Sequence, residues 1–295
     1  MRPVTVEAAA LCLKAGNSVI LRGGGDAYHS DRLLVEVLTG AVLDAGLPGE
    51  AIQFVASRER EVLLDLLQLA GTVDLVIARG GEQLKNFVAA NSRVPVMYAA
   101  GGNCHVYVDR AADLRQALVV AVNAKVQRPG ACSSAETLLV HRAIAAEFVP
   151  RVVHDLLDRK VKLHVDPATL ELLGDTAARV AAATDREYAT EFLALEMAVK
   201  VVESLDEALE HIGRFGTGHS EVIVTRDLEA ARRFTEEVDA AVVYVNASTR
   251  FTEGEVFGMG AEIGVSTQKL HARGPIGLKE LTSTKYVVLG RGHVR

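Results

Sequence analysis

The stretch "SVILRGGGDAYHSDRLLVEVLTGAVLDAGLPGEAIQFVA", residues 18–56, decides the fold class of this chain. It begins with a short β-branched run, "SVILRG", and ends with another, "IQFVA". Between them, apolar residues recur at helical spacing from His29 to Gly46, and glycine commonly follows the last turn of a helix. A strand, a helix and a second strand in succession predict a parallel sheet covered by helices.

The same alternation continues outward from this stretch. Further strands are predicted at "DLVIARGG" (74–81), "VPVMYAAGG" (94–102), "HVYVD" (105–109), "AETLLVH" (135–141), "VKLHVD" (161–166), "AVKVVES" (198–204), "SEVIVTRD" (220–227), "AAVVYVN" (240–246) and "KYVVLG" (285–290). Helical spacing fills most of the intervals, and a length of 295 residues suggests two domains. The glycine-rich segment after Ser248 is predicted to be a site or a linker rather than core.

Composition excludes several classes of function. The chain is 49% hydrophobic and 24% charged, as in ordinary globular proteins, and its net charge of −6 lacks the basic face of a nucleic-acid-binding protein. No run of eighteen apolar residues predicts a membrane span, and no His/Cys/Asp cluster has the spacing of a metal site. Three widely spaced cysteines fit a reducing compartment. We therefore expect a cytoplasmic protein with no metal and with neither a nucleic-acid nor a membrane partner.

Glycine-rich turns follow two of the predicted strands, at the edge where α/β sheets bind ligands. Gly23–Gly25 and Gly80–Gly81 do not match the G-x-G-x-x-G dinucleotide fingerprint, and turns without any ligand explain them equally well. Arg22 and Arg79 end the two strands. A cation at that position favours a phosphorylated cofactor.

The stretch "NAKVQRPGACSSAETLLV" (123–140) places Cys132 in a turn of small residues. Two cations, Lys125 and Arg128, precede it, and nearby cations lower the pKa of a thiol. A nucleophile and a small buried residue both remain open for Cys132 on this evidence. The other two cysteines, Cys12 and Cys104, lie in apolar segments and are predicted to be core residues.

Four segments carry a resemblance to a known family: "LCLKAGNSVILRGG", "DLVIARGG", "VNAKVQRPGACSSAETLLV" and "YVNASTRFTEGEVFGMGAEIGVSTQKLHARGPIGLKEL". With them the chain resembles the γ-glutamyl phosphate reductases, the proline-biosynthesis branch of the aldehyde dehydrogenase superfamily. The resemblance implies an α/β, aldehyde dehydrogenase-like fold. Its expected parts are a Rossmann-type cofactor domain at 1–110 that lacks its N-terminal part, an α/β catalytic domain at 111–255, and a glycine-rich return segment with a terminal oligomerisation strand at 256–295.

The resemblance also implies the reaction, an NADPH-dependent reduction of L-glutamyl 5-phosphate to L-glutamate 5-semialdehyde with release of phosphate. Cys132 is then the nucleophile and forms a thioester. The implied cofactor-binding residues are Arg22, Gly23, Gly80, Gly81 and Glu191, and the implied substrate-binding residues are Arg128, Asn246, Arg250, His271 and Arg273. A homo-oligomer is expected, and glutamate 5-kinase is a candidate partner.

Interpretations without any binding role stay open for some of these residues. Glu191 lies in an acidic run, "DREYATEF", that is also typical of a solvated surface, and His271 and Arg273 could belong to a surface loop. Hydrolytic aldehyde dehydrogenases carry a general-base glutamate in a Glu-Leu-Gly-Gly motif, whereas the matching stretch here, "MYAAGGNCHVYVD", has Ala99 and Ala100. The missing carboxylate favours a reductase over an enzyme that oxidises aldehydes.

The chain departs from the family at its N-terminus. The family reads Arg-Pro-Asn-Val-Thr-Val, with an asparagine that helps to form the oxyanion hole, whereas residues 2–6 read "RPVTV". The family also has an upstream portion, so we expect an N-terminally shortened chain whose cofactor sheet has an unpaired strand edge. Two interpretations therefore remain, an active reductase and a weak or inactive remnant that acts only as a folded partner or fragment.

Overall fold

The computed structural model describes residues 4–99 and 101–295. The helices are Val4–Lys14 (α1), Tyr28–Asp44 (α2), Arg60–Leu67 (α3), Glu82–Asn91 (α4), Leu114–Val126 (α5), Arg142–Asp158 (α6), Pro167–Glu171 (α7), Asp185–Tyr188 (α8), Leu205–Phe215 (α9) and Leu228–Glu237 (α10). The strands are Val19–Leu21 (β1), Ile52–Phe54 (β2), Val76–Arg79 (β3), Val96–Ala99 (β4), Cys104–Val108 (β5), Ala135–His141 (β6), Lys162–Val165 (β7), Ala181–Ala182 (β8), Glu196–Val202 (β9), Ser220–Val224 (β10), Val242–Val245 (β11), Val265–Ser266 (β12) and Gly274–Pro275 (β13).

A seven-stranded sheet forms the larger part of the fold. Its order is β11-β10-β5-β6-β9-β7-β8, and all of its neighbouring strands run parallel. Successive side chains of a strand point to opposite faces, so Leu138 packs with helices α5 and α6 while Leu139 packs with α9 and α10. Because both faces are covered, the central strands read as continuous apolar runs, which made them easy to predict.

Side-chain caps fix where several of the surrounding helices begin. Asp113, Ser204 and Asp227 each accept hydrogen bonds from backbone N–H groups of the first turn of α5, α9 and α10. Such caps satisfy N–H groups that have no partner inside the helix. The starts of these three helices are therefore determined locally.

Residues 4–99 contain two separate two-stranded parallel sheets, β1–β2 and β3–β4. Residues Val19–Leu21 of β1 and Val76–Ala78 of β3 line the same cavity, whose volume is about 440 Å³. Within residues 4–99 and 101–295, no strand pairs with the remaining edge of either β1 or β3. The expected unpaired edge in the cofactor sheet is therefore present, and there are two such edges facing one cavity.

The glycine-rich segment contributes to the core, so the prediction that it would be only a site or a linker was wrong. Ile263, Val265 and Ile276 are buried, and Ile263 and Ile276 pack with Met97 of β4. The side-chain amide of Gln268 accepts a hydrogen bond from Tyr98 N at 2.6 Å and donates one to the carbonyl oxygen of Val96 at 3.3 Å. This amide thus takes the place of a neighbouring strand beside β4.

The predicted strand "KYVVLG" is not formed, and this prediction was wrong for the chain by itself. Residues 282–290 are neither helix nor strand, and Tyr286 and Leu289 are 97% and 92% exposed. A strand needs a partner edge, and no strand of the described chain pairs with this segment. Its expected role in oligomerisation remains a prediction.

The predicted domain boundaries at 110 and 255 also remain predictions. Strand β5 belongs to the seven-stranded sheet, whereas β4 pairs with β3, so sheet pairing favours a first boundary between β4 and β5. Among the described residues, no helix combines the length and apolar character needed to cross a bilayer.

The two unpaired edges should be visible in hydrogen exchange. Two-stranded sheets are marginally stable, so amides of β1 and β3 should exchange faster than amides of β5 and β6, which have strand neighbours on both sides. Exchange followed by mass spectrometry of peptides covering 19–21, 76–79 and 135–141 checks this. Equal protection of all three peptides would show that the two small sheets are as stable as the seven-stranded sheet.

Candidate active site

Cys132 lies in the turn that joins α5 to β6, at the amino edge of the seven-stranded sheet. Within the turn, Ala131 N donates to the carbonyl oxygen of Arg128 at 3.1 Å and Ser134 N donates to that of Ala131 at 2.9 Å. The Cys132 side chain is partly exposed, and it takes part in no disulfide. An accessible thiol in a hydrogen-bonded turn is what a nucleophile requires.

The other two cysteines are buried, which confirms that both are core residues. Burial raises the pKa of the Cys12 thiol. Burial, and next the nearby Glu221 carboxylate, raises the pKa of the Cys104 thiol well above its ordinary value. Both thiols therefore remain protonated and unreactive at neutral pH.

The carbonyl oxygen of Cys132 is held against the start of β5. Cys104 Sγ donates a hydrogen bond to it at 3.3 Å. A β-carbon at Gly102 would overlap the same oxygen, so only glycine lets the two backbones approach this closely. These contacts fix the backbone of the cysteine turn to the neighbouring strand.

A chain of buried polar side chains lies behind Cys104. His219 Nδ1 is 3.6 Å from Cys104 Sγ and 2.9 Å from Ser220 Oγ, and Ser220 Oγ is 2.8 Å from Thr252 Oγ1. Burial, with a smaller effect from Arg250, lowers the pKa of His219 to about 4, so its imidazole is neutral at physiological pH. His219 was not among the site residues predicted from the sequence, so its position beside the cysteine turn was missed.

Glu191 reaches the same edge of the sheet. Its Oε1 accepts a hydrogen bond from Gly102 N at 2.6 Å. The Glu191 carboxylate is thus bound to the loop that contacts Cys132, so it is not a freely solvated surface group. Its role toward a nicotinamide ribose remains a prediction.

Arg250 crosses the cysteine turn. Its Nε donates to Gln127 Oε1 at 3.0 Å, and its Nη1 donates to Ser133 Oγ. Arg128 is exposed in the same turn. Two guanidinium groups therefore lie on the turn that carries Cys132, where positive charge favours a thiolate.

The structure does not bring Asn246 to the cysteine. Its amide accepts a hydrogen bond from Thr225 N and donates one to the carbonyl oxygen of Thr225, both at 2.9 Å, at the carboxyl edge of the sheet. Thr225 Oγ1 donates to Asp109 Oδ2 at 2.7 Å. Asp109 lies just after the carboxyl end of β5, whereas Cys104 lies at its amino end. Five residues of strand span roughly 16 Å at about 3.3 Å each, so the two ends of β5 are far apart. The Asn246 amide thus joins the ends of β10 and β11 on the far side of the sheet.

The two other substrate-site candidates lie between β12 and β13. Arg273 Nη2 donates to Asp239 Oδ1 at 2.9 Å. Asp239 precedes β11, so Arg273 lies at the same edge of the sheet as Cys132. His271 is exposed, as expected for a residue of a surface loop.

Four of the five predicted cofactor residues, Arg22, Gly23, Gly80 and Gly81, lie at the carboxyl ends of β1 and β3, whereas Glu191 does not. Arg22 Nη2 donates to the carbonyl oxygens of Arg58 and Glu59, each at 3.2 Å. Arg22, Arg58 and Arg60 line a cavity of about 450 Å³ together with Gly81, and none of its described lining residues is acidic. Three guanidinium groups around one opening fit a cofactor that carries a phosphate monoester.

Arg58 and Arg60 were missed by the sequence interpretation. The signal was present in the charged run "SRERE", residues 57–61. Gly23 and Gly80, in contrast, are explained by packing, because a β-carbon there would press on Asp31 or Leu84.

Residues 2 and 3, where the oxyanion asparagine of the family is missing, lie outside the described residues, as does Ala100. The described chain contains no group of three His, Cys, Asp or Glu residues that could hold a metal ion.

Comparison with solved structures supports the fold. The crystal structure of γ-glutamyl phosphate reductase from Thermotoga maritima matches with a TM-score of 0.92 at 48% identity, covering 99% of this chain and 70% of that one. An acetylating aldehyde dehydrogenase from Geobacillus thermoglucosidasius matches with a TM-score of 0.77 at 18% identity, covering 99% of this chain and 73% of that one. The second match shows the shared fold alone.

Sequence comparison extends over nearly the whole chain. The model of the Aldehyde dehydrogenase family matches residues 3–171 and 188–287. The γ-glutamyl phosphate reductase of Heliobacterium modesticaldum is 54% identical over 292 residues, which are 99% of this chain and 69% of that protein. The one of Caldanaerobacter subterraneus subsp. tengcongensis is 52% identical, with 99% and 70% covered. The chain therefore belongs to the aldehyde dehydrogenase family, and within it to the γ-glutamyl phosphate reductases.

Proposed function

We propose that this chain carries the catalytic centre for NADPH-dependent reduction of L-glutamyl 5-phosphate to L-glutamate 5-semialdehyde, with release of phosphate, in proline biosynthesis. The observation that carries the proposal is the Cys132 turn. It presents a partly exposed thiol, has a fixed backbone, and lies beside Arg250 and Glu191. The names of the relatives supply the substrate class.

The chemistry requires few side chains. The Cys132 thiolate attacks the acyl carbon of the substrate, and the tetrahedral intermediate expels phosphate to leave a thioester on Sγ. When bound, NADPH supplies the hydride that reduces this thioester. The resulting thiohemiacetal collapses to the aldehyde and returns the electron pair to Sγ as the thiolate.

The positive charges on the Cys132 turn suit thiolate attack and the release of phosphate. Phosphate is a good leaving group, so no strong general acid is needed. Arg250 and Arg128 can attract both the thiolate and the departing phosphate. Ala99 provides no carboxylate to activate water, which protects the thioester from hydrolysis.

The cavity lined by Arg22, Arg58 and Arg60 supports NADPH as the cofactor. Arg22, Arg58 and Arg60 would hold the 2′-phosphate of the adenosine ribose, and Glu191 would bind the nicotinamide ribose. NADH lacks that phosphate and would leave the three guanidinium groups without an anion. A preference for NADPH follows from this charge arrangement.

A homo-oligomer, a glutamate 5-kinase partner and a cytoplasmic location complete the proposal. The homo-oligomer has support in the exposed apolar side chains of Tyr286, Val288 and Leu289, which would be buried if this segment paired with a strand of a second copy. The kinase and the location rest on the family resemblance alone.

A catalytically weak form is the second candidate, because β1 and β3 leave two strand edges unpaired in the cofactor half. Such a half would bind the cofactor poorly even if the Cys132 turn were intact. The chain would then act as a folded partner or fragment. The extension experiment below separates the two candidates.

Cys132→Ser should reduce turnover by more than about 10³-fold, because a hydroxyl at this position has no comparable nucleophilicity. The assay is NADPH oxidation with L-glutamyl 5-phosphate, or the reverse reaction with semialdehyde and phosphate. Cys12→Ala is the matched control, and it should alter stability rather than turnover because Cys12 is buried in α1. Retention of a tenth of the activity by Cys132→Ser would remove Cys132 as the nucleophile.

Arg22→Ala and Arg60→Ala should each weaken NADPH binding by roughly 1.5–3 kcal/mol, the usual value of a charge-assisted hydrogen bond, and leave NADH binding unchanged. Dissociation constants measured by calorimetry check this without any need for turnover. Arg32→Ala serves as the control, since Arg32 forms an exposed pair with Glu36 on α2. Equal affinity of the unmutated protein for both cofactors would contradict the role of the cluster.

Fusing the upstream segment of the Thermotoga maritima reductase to this chain, with the asparagine of the family restored, should raise turnover by at least about 10²-fold. One oxyanion donor is worth that much, and a paired cofactor sheet would add to it. The rates of the two proteins are compared under identical conditions. Comparable rates would show that another group serves as the donor and that the unpaired edges do not limit catalysis.

A further inference from the structure

A buried ion pair lies directly behind the cysteine turn, and the chemistry described above does not use it. Lys125 is in the last turn of α5, and Glu136 is the second residue of β6. Lys125 Nζ lies 2.7 Å from Glu136 Oε2, and both side chains are 0% exposed. The two residues flank Cys132 on either side in the sequence.

Stability does not explain this pair. Burial raises the pKa of the Glu136 carboxyl to about 7, although the ammonium group of Lys125 opposes the rise. Burial likewise lowers the pKa of Lys125, against the attraction of Glu136. Removing two charges from water costs several kcal/mol for each ion, and apolar residues of similar size are often as stable or more so. The pair therefore calls for a reason other than core packing.

Its hydrogen bonds connect the elements that surround Cys132. Glu136 Oε1 accepts a hydrogen bond from Leu193 N at 3.3 Å. Leu193 has a φ of 53°, and its carbonyl oxygen lies against Gly130, 3.6 Å from where a β-carbon would be. Two residues earlier, Glu191 binds Gly102 N, next to the Cys132 carbonyl oxygen.

The ion pair thus joins three parts of the chain: the end of α5, the start of β6, and the segment 191–193. These parts lie before, after and beside the cysteine turn. An apolar pair could fill the same volume, but it could not accept the Leu193 N–H group, and it would not fix the direction of any contact.

We propose that Lys125 and Glu136 are positioning residues, which hold the cysteine turn and the segment 191–193 in the relative orientation that lets Cys132 attack the bound acyl phosphate. This inference rests on the proposed function, because it concerns the same reaction. Neither residue needs to touch the substrate. Their effect is on geometry, and a misplacement of about 1 Å can cost on the order of 10²-fold in rate.

The test replaces both charges with side chains of similar length, in Lys125→Met combined with Glu136→Met. The thermal midpoint of unfolding should stay equal or rise, while kcat at saturating NADPH falls about 10²-fold. The Kd for NADPH should rise, because the segment 191–193 carries Glu191. Alkylation of Cys132 by iodoacetamide, which needs no orientation relative to a bound substrate, should change by less than about twofold. Arg151→Met with Glu147→Met, an exposed pair on α6, is the matched control and should leave all four quantities unchanged.

Glu136→Gln is the second variant and keeps the shape of the side chain, so it guards against a double variant that does not fold. It should lower kcat without slowing alkylation. Slower alkylation in either variant would mean that the pair activates the thiolate rather than positioning it, which would overturn the inference. If the unmutated protein is active and the folded variants are equally active, the inference is overturned while the proposed function stands. A parent protein with no turnover would overturn the proposed function together with the inference.

Discussion

The close approach of the Cys132 carbonyl oxygen to the start of strand β5 is the constraint on which the site depends. Gly102 makes room for that oxygen, and the protonated Cys104 thiol donates to it. The same loop binds Glu191 through Gly102 N. One backbone contact thereby fixes the Cys132 turn relative to both the seven-stranded sheet and an acidic side chain. Any larger residue at position 102 would have to displace the cysteine turn.

The two halves of the chain differ in how firmly they are built. The sheet that carries Cys132 has seven strands with helices on both faces, and in β5, β6 and β10 every residue except His141 is buried. The preceding part has two pairs of short strands around a cavity, held from one side by α1, β4 and the return segment.

Sequence patterns predicted the elements that depend on local chemistry or on burial. Strand β6 was predicted within its actual bounds, because its apolar run is covered on both faces. The segment "KYVVLG" has a similar pattern but no partner edge in the described chain, and pairing is not a property of one segment. The pair formed by Lys125 and Glu136 could not be predicted either, since each residue is ordinary in its own helix or strand.

Asn246 illustrates a signal that the sequence contained and that was not used. A residue that follows a strand and a residue that precedes one lie at opposite edges of a parallel sheet. Asn246 follows β11, whereas Cys132 precedes β6, so their separation could have been deduced once the strands were assigned. Arg250 reaches Ser133, next to Cys132, because the chain turns back after β11.

The central claim is that the acyl group of the substrate becomes bonded to Cys132. Its most direct test is to incubate the protein with L-glutamyl 5-phosphate in the absence of cofactor, quench in acid, and map the modified peptide by mass spectrometry. A glutamyl thioester should form on the peptide that contains Cys132 and on neither of the peptides that contain Cys12 or Cys104. An acyl group on either of those cysteines, or release of phosphate without any acylated peptide, would contradict the claim.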